Sequence, residues 1–187
     1  LYHNFMKFDD IKIYHVAMPL INPWVTSYGA DYEIHSVLVN VTSDNYSAWS
    51  ETCALELPTY SYESASSIFN NISEVFGPSI LGKNFDTSND LMDKLSIYKG
   101  NPFAKAGLDI AWWSLKSEIT NTPLHILLGG KNGEVVAGAD FGVEKDIDTL
   151  LENIDLAVKD KAPRIKLKVK KGWDVDVIDA ATKSFPE

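Results

Sequence analysis

After Gly129-Gly130 the pattern of the chain changes, and that change narrows the possible folds sharply. "EVVAGADFG" (134–142) is a short apolar run of strand type. "DIDTLLENIDLAVKD" (146–160) carries Ile147, Leu150, Leu151 and Ile154 at helical spacing, "RIKLKV" (164–169) alternates as a strand does, and "DVDVIDAATKSF" (174–185) is a second helix opened by Asp174. Strand, helix, strand, helix at this spacing predicts βα units on a parallel sheet. Two such units can neither close a barrel nor cover both faces of a parallel sheet. The domain that begins at residue 131 is therefore expected to be incomplete at Glu187.

Residues 6–130 obey another grammar, strands first and helices after. "DDIKIYHVAM" places Ile11, Ile13, His15 and Ala17 on one face, the period of two of a strand. "NPWVTSYGAD" is expected as a loop. "HSVLVNVTS" turns through Ser43-Asp44-Asn45 into "YSAWSE", a hairpin, so that a three-stranded antiparallel sheet is expected. Ala65, Ile68, Phe69, Ile72, Val75 and Phe76 then recur at helical spacing, with Gly77-Pro78 expected to stop the run. Thr87 and Asp90 form a capping-box pattern before Leu91 and Leu95. Asn101-Pro102 supplies an N-cap and a first-turn proline for "FAKAGLDIAWWSLKSEI". That helix is apolar on the Phe103/Ala106/Ile110/Trp113 side and on the Ala104/Leu108/Ala111/Leu115 side, which predicts burial between layers. "TPLHILLGG" repeats the proline start and ends on glycine.

Several functions are disfavoured by composition. The formal net charge of −9 argues against a nucleic-acid partner. Cys53 is the sole cysteine, which excludes an intramolecular disulfide and a thiolate cluster and favours a reducing, cytoplasmic compartment. No apolar run has the length of a membrane span. His3, His15, His35 and His125 show no ligand or triad spacing, and no base is placed beside Cys53. Asp174, Asp176 and Asp179 lie on the last helix, where first-turn acids favour the macrodipole rather than a metal. No metal-ligand set is found in the chain.

The one concentrated positive stretch is "RIKLKVKKGWD" (164–174). In a strand Lys166 and Lys168 share a face with Arg164, the lysines about 7 Å apart, while Ile165, Leu167 and Val169 take the other. Two ammonium groups held together disfavour each other's charge, and a lysine so lowered can serve as a general base. Lys168 also lies near the C-terminal end of the strand, where βα barrels carry their active sites. A solvated strand face or an anion patch fits the same residues.

Four stretches decide between these readings by resemblance. "AMPLINPWVTSYG", "WSETCALELPTYSYES", "AKAGLDIAWWSLKSEITNTPLHILLGG" and "RIKLKVKKGWD" occur in the order and at the spacing of the enolase superfamily. The chain resembles its mandelate racemase/muconate lactonizing enzyme branch, nearest in look to o-succinylbenzoate synthases and N-acylamino acid racemases. The resemblance implies an α+β capping domain (6–130) followed by the first βα units of an incomplete (β/α) TIM-like barrel (131–187). It implies Lys168 as the proton-abstracting base, Lys166 as its partner, and a small carboxylate substrate. Trp24 and Tyr28, in the specificity loop, and Asp140, on the first barrel strand where relatives often carry serine, are the implied substrate contacts. It also implies Mg²⁺ for the whole enzyme, with ligands outside this chain; the unfinished strand edge and apolar faces of a broken barrel predict a homo-oligomer. Cycloisomerase and dipeptide epimerase chemistry belong to the same branch. The chain alone is expected to be inactive; a non-catalytic fragment that needs a missing half is the alternative from another class.

Overall fold

The computed structural model describes residues 6–26 and 29–186. The chain divides into two compact units, one of residues up to Pro19 with Glu33–Lys131, the other of Leu20–Tyr32 with the residues from Asn132 onward. None of the described helices is long and apolar enough to cross a membrane.

In the first unit, strand β1 (Met6–Lys7) opens the described chain. Strands β2 (Asp10–Thr26), β3 (Gly29–Ser43) and β4 (Tyr46–Cys53) form a three-stranded sheet in that order, the residues of β2 from Leu20 and those of β3 up to Tyr32 being assigned to the second unit. The long first pair overturns the loop expected over 22–31: strand structure runs to Thr26 and resumes at Gly29. Alternate positions here lack the apolar side chains that mark a buried strand, so the extension leaves no hydrophobic signature. Strands β3 and β4 pair antiparallel, Val39 opposite Ser50 and Val37 opposite Thr52. Val37, Val39 and Val41 are fully buried against the helices.

Helix α1 (Ala65–Asn71) starts from a capping box of Ser64 and Ser67. Gly77-Pro78 does not stop it. A π-helical stretch (Ile72–Phe76) intervenes and the chain continues into α2 (Gly77–Ile80). The Gly77 N–H reaches back five residues to the Ile72 carbonyl, and a Cβ on Gly77 would sit 2.7 Å from that oxygen. Glycine admits the wide turn, and Pro78 is tolerated in the first turn of α2. Strand β5 (Asn84–Phe85) pairs antiparallel with β1. Helix α3 (Ser88–Leu95) has the capping box expected of Thr87 and Asp90.

Helix α4 (Pro102–Thr120) buries Ala104, Gly107, Leu108, Ala111, Trp112 and Leu115. Its other apolar side is not enclosed, since Ile110 keeps 40% exposure, so burial between layers is corrected to burial on one face. Gly107 lies against β4, where a Cβ would meet Thr52 Cγ2 at 2.8 Å. Thr52 Oγ1 donates to the Phe103 carbonyl at 2.8 Å and Ser50 Oγ to that of Gly107 at 2.7 Å. The cap at the start of α4 is also corrected. Asn101 is left-handed (φ 56°) and its side chain does not cap. Glu63 does so instead, accepting from the N–H of Phe103 (2.8 Å) and of Ala104 (3.1 Å) while only 2% exposed. Helix α5 (Leu124–Leu127) closes the unit before Gly129 (φ 82°).

In the second unit, β6 (Ala139–Phe141) and β7 (Ile165–Leu167) pair in parallel, as the βα pattern predicts. Helix α6 (Ile147–Lys159) connects them and α7 (Asp174–Ser184) comes after β7. The Asp146 side chain caps α6 through the Thr149 N–H. Leu150, Ile154 and Val177 are buried, packed by Phe141, Ile165, Leu167 and Trp173. The strand expected from residue 134 begins only at Ala139, and Val135 and Val136 stand 89% and 83% exposed rather than buried. Likewise β7 ends at Leu167, leaving Val169 44% exposed.

Candidate active site

Parallel register sets Asp140 on β6 directly opposite Lys166 on β7. Their side chains meet, Lys166 Nζ donating to Asp140 Oδ2 at 2.9 Å. Both remain half exposed. Asp140 titrates below its ordinary value: the hydrogen bond from Lys166 is the largest cause, desolvation opposes it, and the charges of Lys166, Lys168 and Arg164 add to it. The pairing changes the expected site. In place of two ammonium groups facing each other, a carboxylate stands against one of them.

Lys168 comes just after the last residue of β7, and its N–H still donates to the Phe141 carbonyl at 2.9 Å. Its Nζ lies 4.2 Å from the centre of the Trp24 ring. That distance is within reach of a cation–π contact, which shields one side of the Lys168 terminus. Trp24 is thus a neighbour of the expected base. Tyr28 lies outside the described residues. Asp140, read from sequence as a substrate contact, is in this structure a partner of Lys166. The signal that could have shown this is the facing i-to-j register of two parallel strands, which a single sequence does not specify.

Chemically, the face carries Lys166, Lys168, Arg164 and one carboxylate at the C-terminal end of a parallel strand. It suits an anionic ligand and a proton transfer to or from a lysine nitrogen. Among the described residues, no three or more His, Cys, Asp or Glu side chains come together as a group that could hold a metal ion. Asp140 is committed to Lys166, so the residues present do not fit a magnesium site.

A second polar cluster lies in the first unit and was missed. His15 on β2 and His35 on β3 are in hydrogen-bond contact, and His35 contacts Glu33. Sequence separations of this kind carry no motif. Cys53 points elsewhere, its Sγ donating to the His35 carbonyl at 3.7 Å.

With this geometry, the comparisons with known proteins are decisive. Residues 9–129 match the N-terminal domain of mandelate racemase / muconate lactonizing enzyme. The chain belongs to that family. Within this branch of the enolase superfamily, an o-succinylbenzoate synthase of Geobacillus kaustophilus is 33% identical over 183 residues, which are 97% of this chain and 49% of the relative. An N-succinylamino acid racemase of Thermus thermophilus is 29% identical over 182 residues, again 97% of this chain and 49% of the relative. The crystal structure of N-succinyl Arg/Lys racemase from Bacillus cereus superposes with a TM-score of 0.86 at 26% identity, over 96% of this chain and 49% of that one. The chain spans about half the length of the curated relatives it matches. Residues 9–129 are therefore the α+β capping domain of a mandelate racemase/muconate lactonizing enzyme family member.

Proposed function

We propose that residues 131–187 are the first βα units of a TIM-like barrel, and that the protein removes a proton α to a carboxylate with Lys168 as the base. The observation that carries this reading is the placement of Lys166 and Lys168 at the C-terminal end of β7 in a chain of this family. Its neutral Nζ would take the proton. The charge left on the substrate would lie beside the Lys166 ammonium and Arg164, in the way oriented cations stabilise developing oxyanions. Trp24 would have to give way, or share its ring face, as substrate reaches Lys168. The substrate class is a small carboxylate of the o-succinylbenzoate or N-succinylamino acid type. Cycloisomerisation and dipeptide epimerisation share the same first step. Magnesium, whose chemistry would be to stabilise the enolate, would need further ligands, because among the described residues no group of three or more His, Cys, Asp or Glu could hold it.

The rival reading is a non-catalytic chain that acts only with a second polypeptide. It is favoured by the same lack of a metal group among the described residues and by the half-length match. Unpaired edges of β6 and β7 among the described residues, with exposed Val175 and Ile178, also favour self-association. One experiment separates the cases. N-succinylamino acids are incubated in D2O with Mg²⁺, and loss of the α-proton is monitored by NMR. The 187-residue chain should exchange nothing alone. Supplied with the second half of a relative, or extended to relatives' length, it should exchange, and Lys168→Ala should abolish that. Exchange by the 187-residue chain alone, lost in Lys168→Ala, would refute the need for a second half. Exchange that survives Lys168→Ala in the extended protein would refute Lys168 as the base.

A further inference from the structure

The His15–His35–Glu33 cluster uses none of the residues of the lysine face, and it has the makings of a metal chelate. His15 Nε2 and His35 Nδ1 are 2.9 Å apart, with ring centroids 5.2 Å apart and the rings inclined by 58°. On the far side of the His35 ring, Nε2 is 2.9 Å from Glu33 Oε1. A carboxylate can only accept, so His35 donates through Nε2 and, when neutral, presents the lone pair of Nδ1 toward His15. A histidine whose second nitrogen is tied to a carboxylate is the arrangement that orients metal-bound imidazoles and raises their basicity. His35 itself is held, its side chain 12% exposed, whereas His15 is open to solvent. Water can therefore fill remaining coordination positions.

We infer that His15 Nε2 and His35 Nδ1 form a two-nitrogen site for a divalent transition-metal ion, with Glu33 as the positioning residue. The ion displaces the proton shared by the two nitrogens and sits to one side of the line joining them, the rings turning so that both lone pairs face it. That proton moves to His15 Nδ1, so the neutral pair needs no other acceptor. The spacing selects the kind of ion. With metal–nitrogen bonds of about 2.05 Å, nitrogens 2.9 Å apart subtend about 90° at the metal. That is the angle of square or octahedral ions such as Ni²⁺ and Cu²⁺. A tetrahedral Zn²⁺ would ask for a separation of about 3.3 Å, and so for the rings to part.

The test is calorimetric titration of the chain with Ni²⁺, chosen because Cu²⁺ would oxidise the free thiol of Cys53. All proteins carry His3→Ala, so that the histidine at position three adds no ligand. One equivalent of Ni²⁺ should bind, at least as tightly as Zn²⁺. His15→Asn and His35→Asn should each remove the binding, and His125→Asn should leave it unchanged. Glu33→Gln should weaken it about tenfold or more. Circular dichroism confirms that each variant is folded, and Ni²⁺-induced NMR shifts report the site directly in the unsubstituted histidines. Saturable binding that persists in folded His35→Asn, or no binding tighter than millimolar in the parent, would overturn the site. An unchanged affinity in Glu33→Gln would overturn the role of the carboxylate.

Discussion

The two units differ most in how much they bury. In the first, a cluster of buried side chains from Met6 to Leu115 draws on the sheet and on every long helix of the unit. In the second, three buried residues, Leu150, Ile154 and Val177, anchor the cluster, and large apolar side chains such as Val135, Val136, Val175 and Ile178 stay exposed. The unit that carries the Lys166 and Lys168 face has the smaller core. Parallel sheets are ordinarily covered on both faces, and among the described residues of the second unit the two-stranded sheet β6–β7 leaves large apolar side chains exposed.

Equal truncations should break the units unequally. Ile154→Ala and Leu108→Ala each remove a fully buried side chain, worth about 2–5 kcal/mol. A unit with so few buried groups has little stability to lose, by the roughly 0.05–0.15 kcal/mol per residue that folded domains retain. Ile154→Ala should therefore erase amide protection in residues 139–185 while the first unit stays protected. Leu108→Ala should lower the melting temperature of the first unit and leave it folded. Hydrogen exchange read by mass spectrometry checks both, and uniform loss in either variant would mean that the units fold as one.

Next in size is the Glu63 cap. Glu63→Ala removes two charge-assisted hydrogen bonds from a buried helix start, and the loss should be about 1.5–3 kcal/mol, measured by urea unfolding. Asn101→Ala should cost less at that helix start, since its side chain does not cap.

Smallest is the exposed Asp140–Lys166 pair. Because the folded carboxyl titrates below its ordinary value, its contribution is present above the unfolded carboxylate range and fades as pH falls through the depressed folded value. Solvent screening keeps that contribution slight. Lys166→Ala should raise the Asp140 titration midpoint, read by carboxyl-carbon NMR, and Lys168→Ala should raise it less. Equal shifts would mean that no hydrogen bond singles out Lys166.

Much of the architecture could be read directly. Capping at Thr87 and Asp90, the spacing of Ile147, Leu150, Leu151 and Ile154, and the alternation through Ile165 and Leu167 are local patterns, each set within a turn or two of chain. Where local signals compete, reading failed: Gly77-Pro78 looks like a stop, yet the π turn lets the helix pass. The long β2–β3 ribbon also escaped, since exposed strands lack an apolar period.

Elements, their order and the shared face of Lys166 and Lys168 are set by residues adjacent along the chain, where backbone stereochemistry and side-chain period act directly. Only folding decided that Asp140 meets Lys166, that Trp24 covers Lys168, that Glu63 rather than Asn101 caps α4, and that His15 and His35 touch. Each of those contacts joins residues far apart along the chain, whose approach depends on strand register and packing that no local pattern encodes.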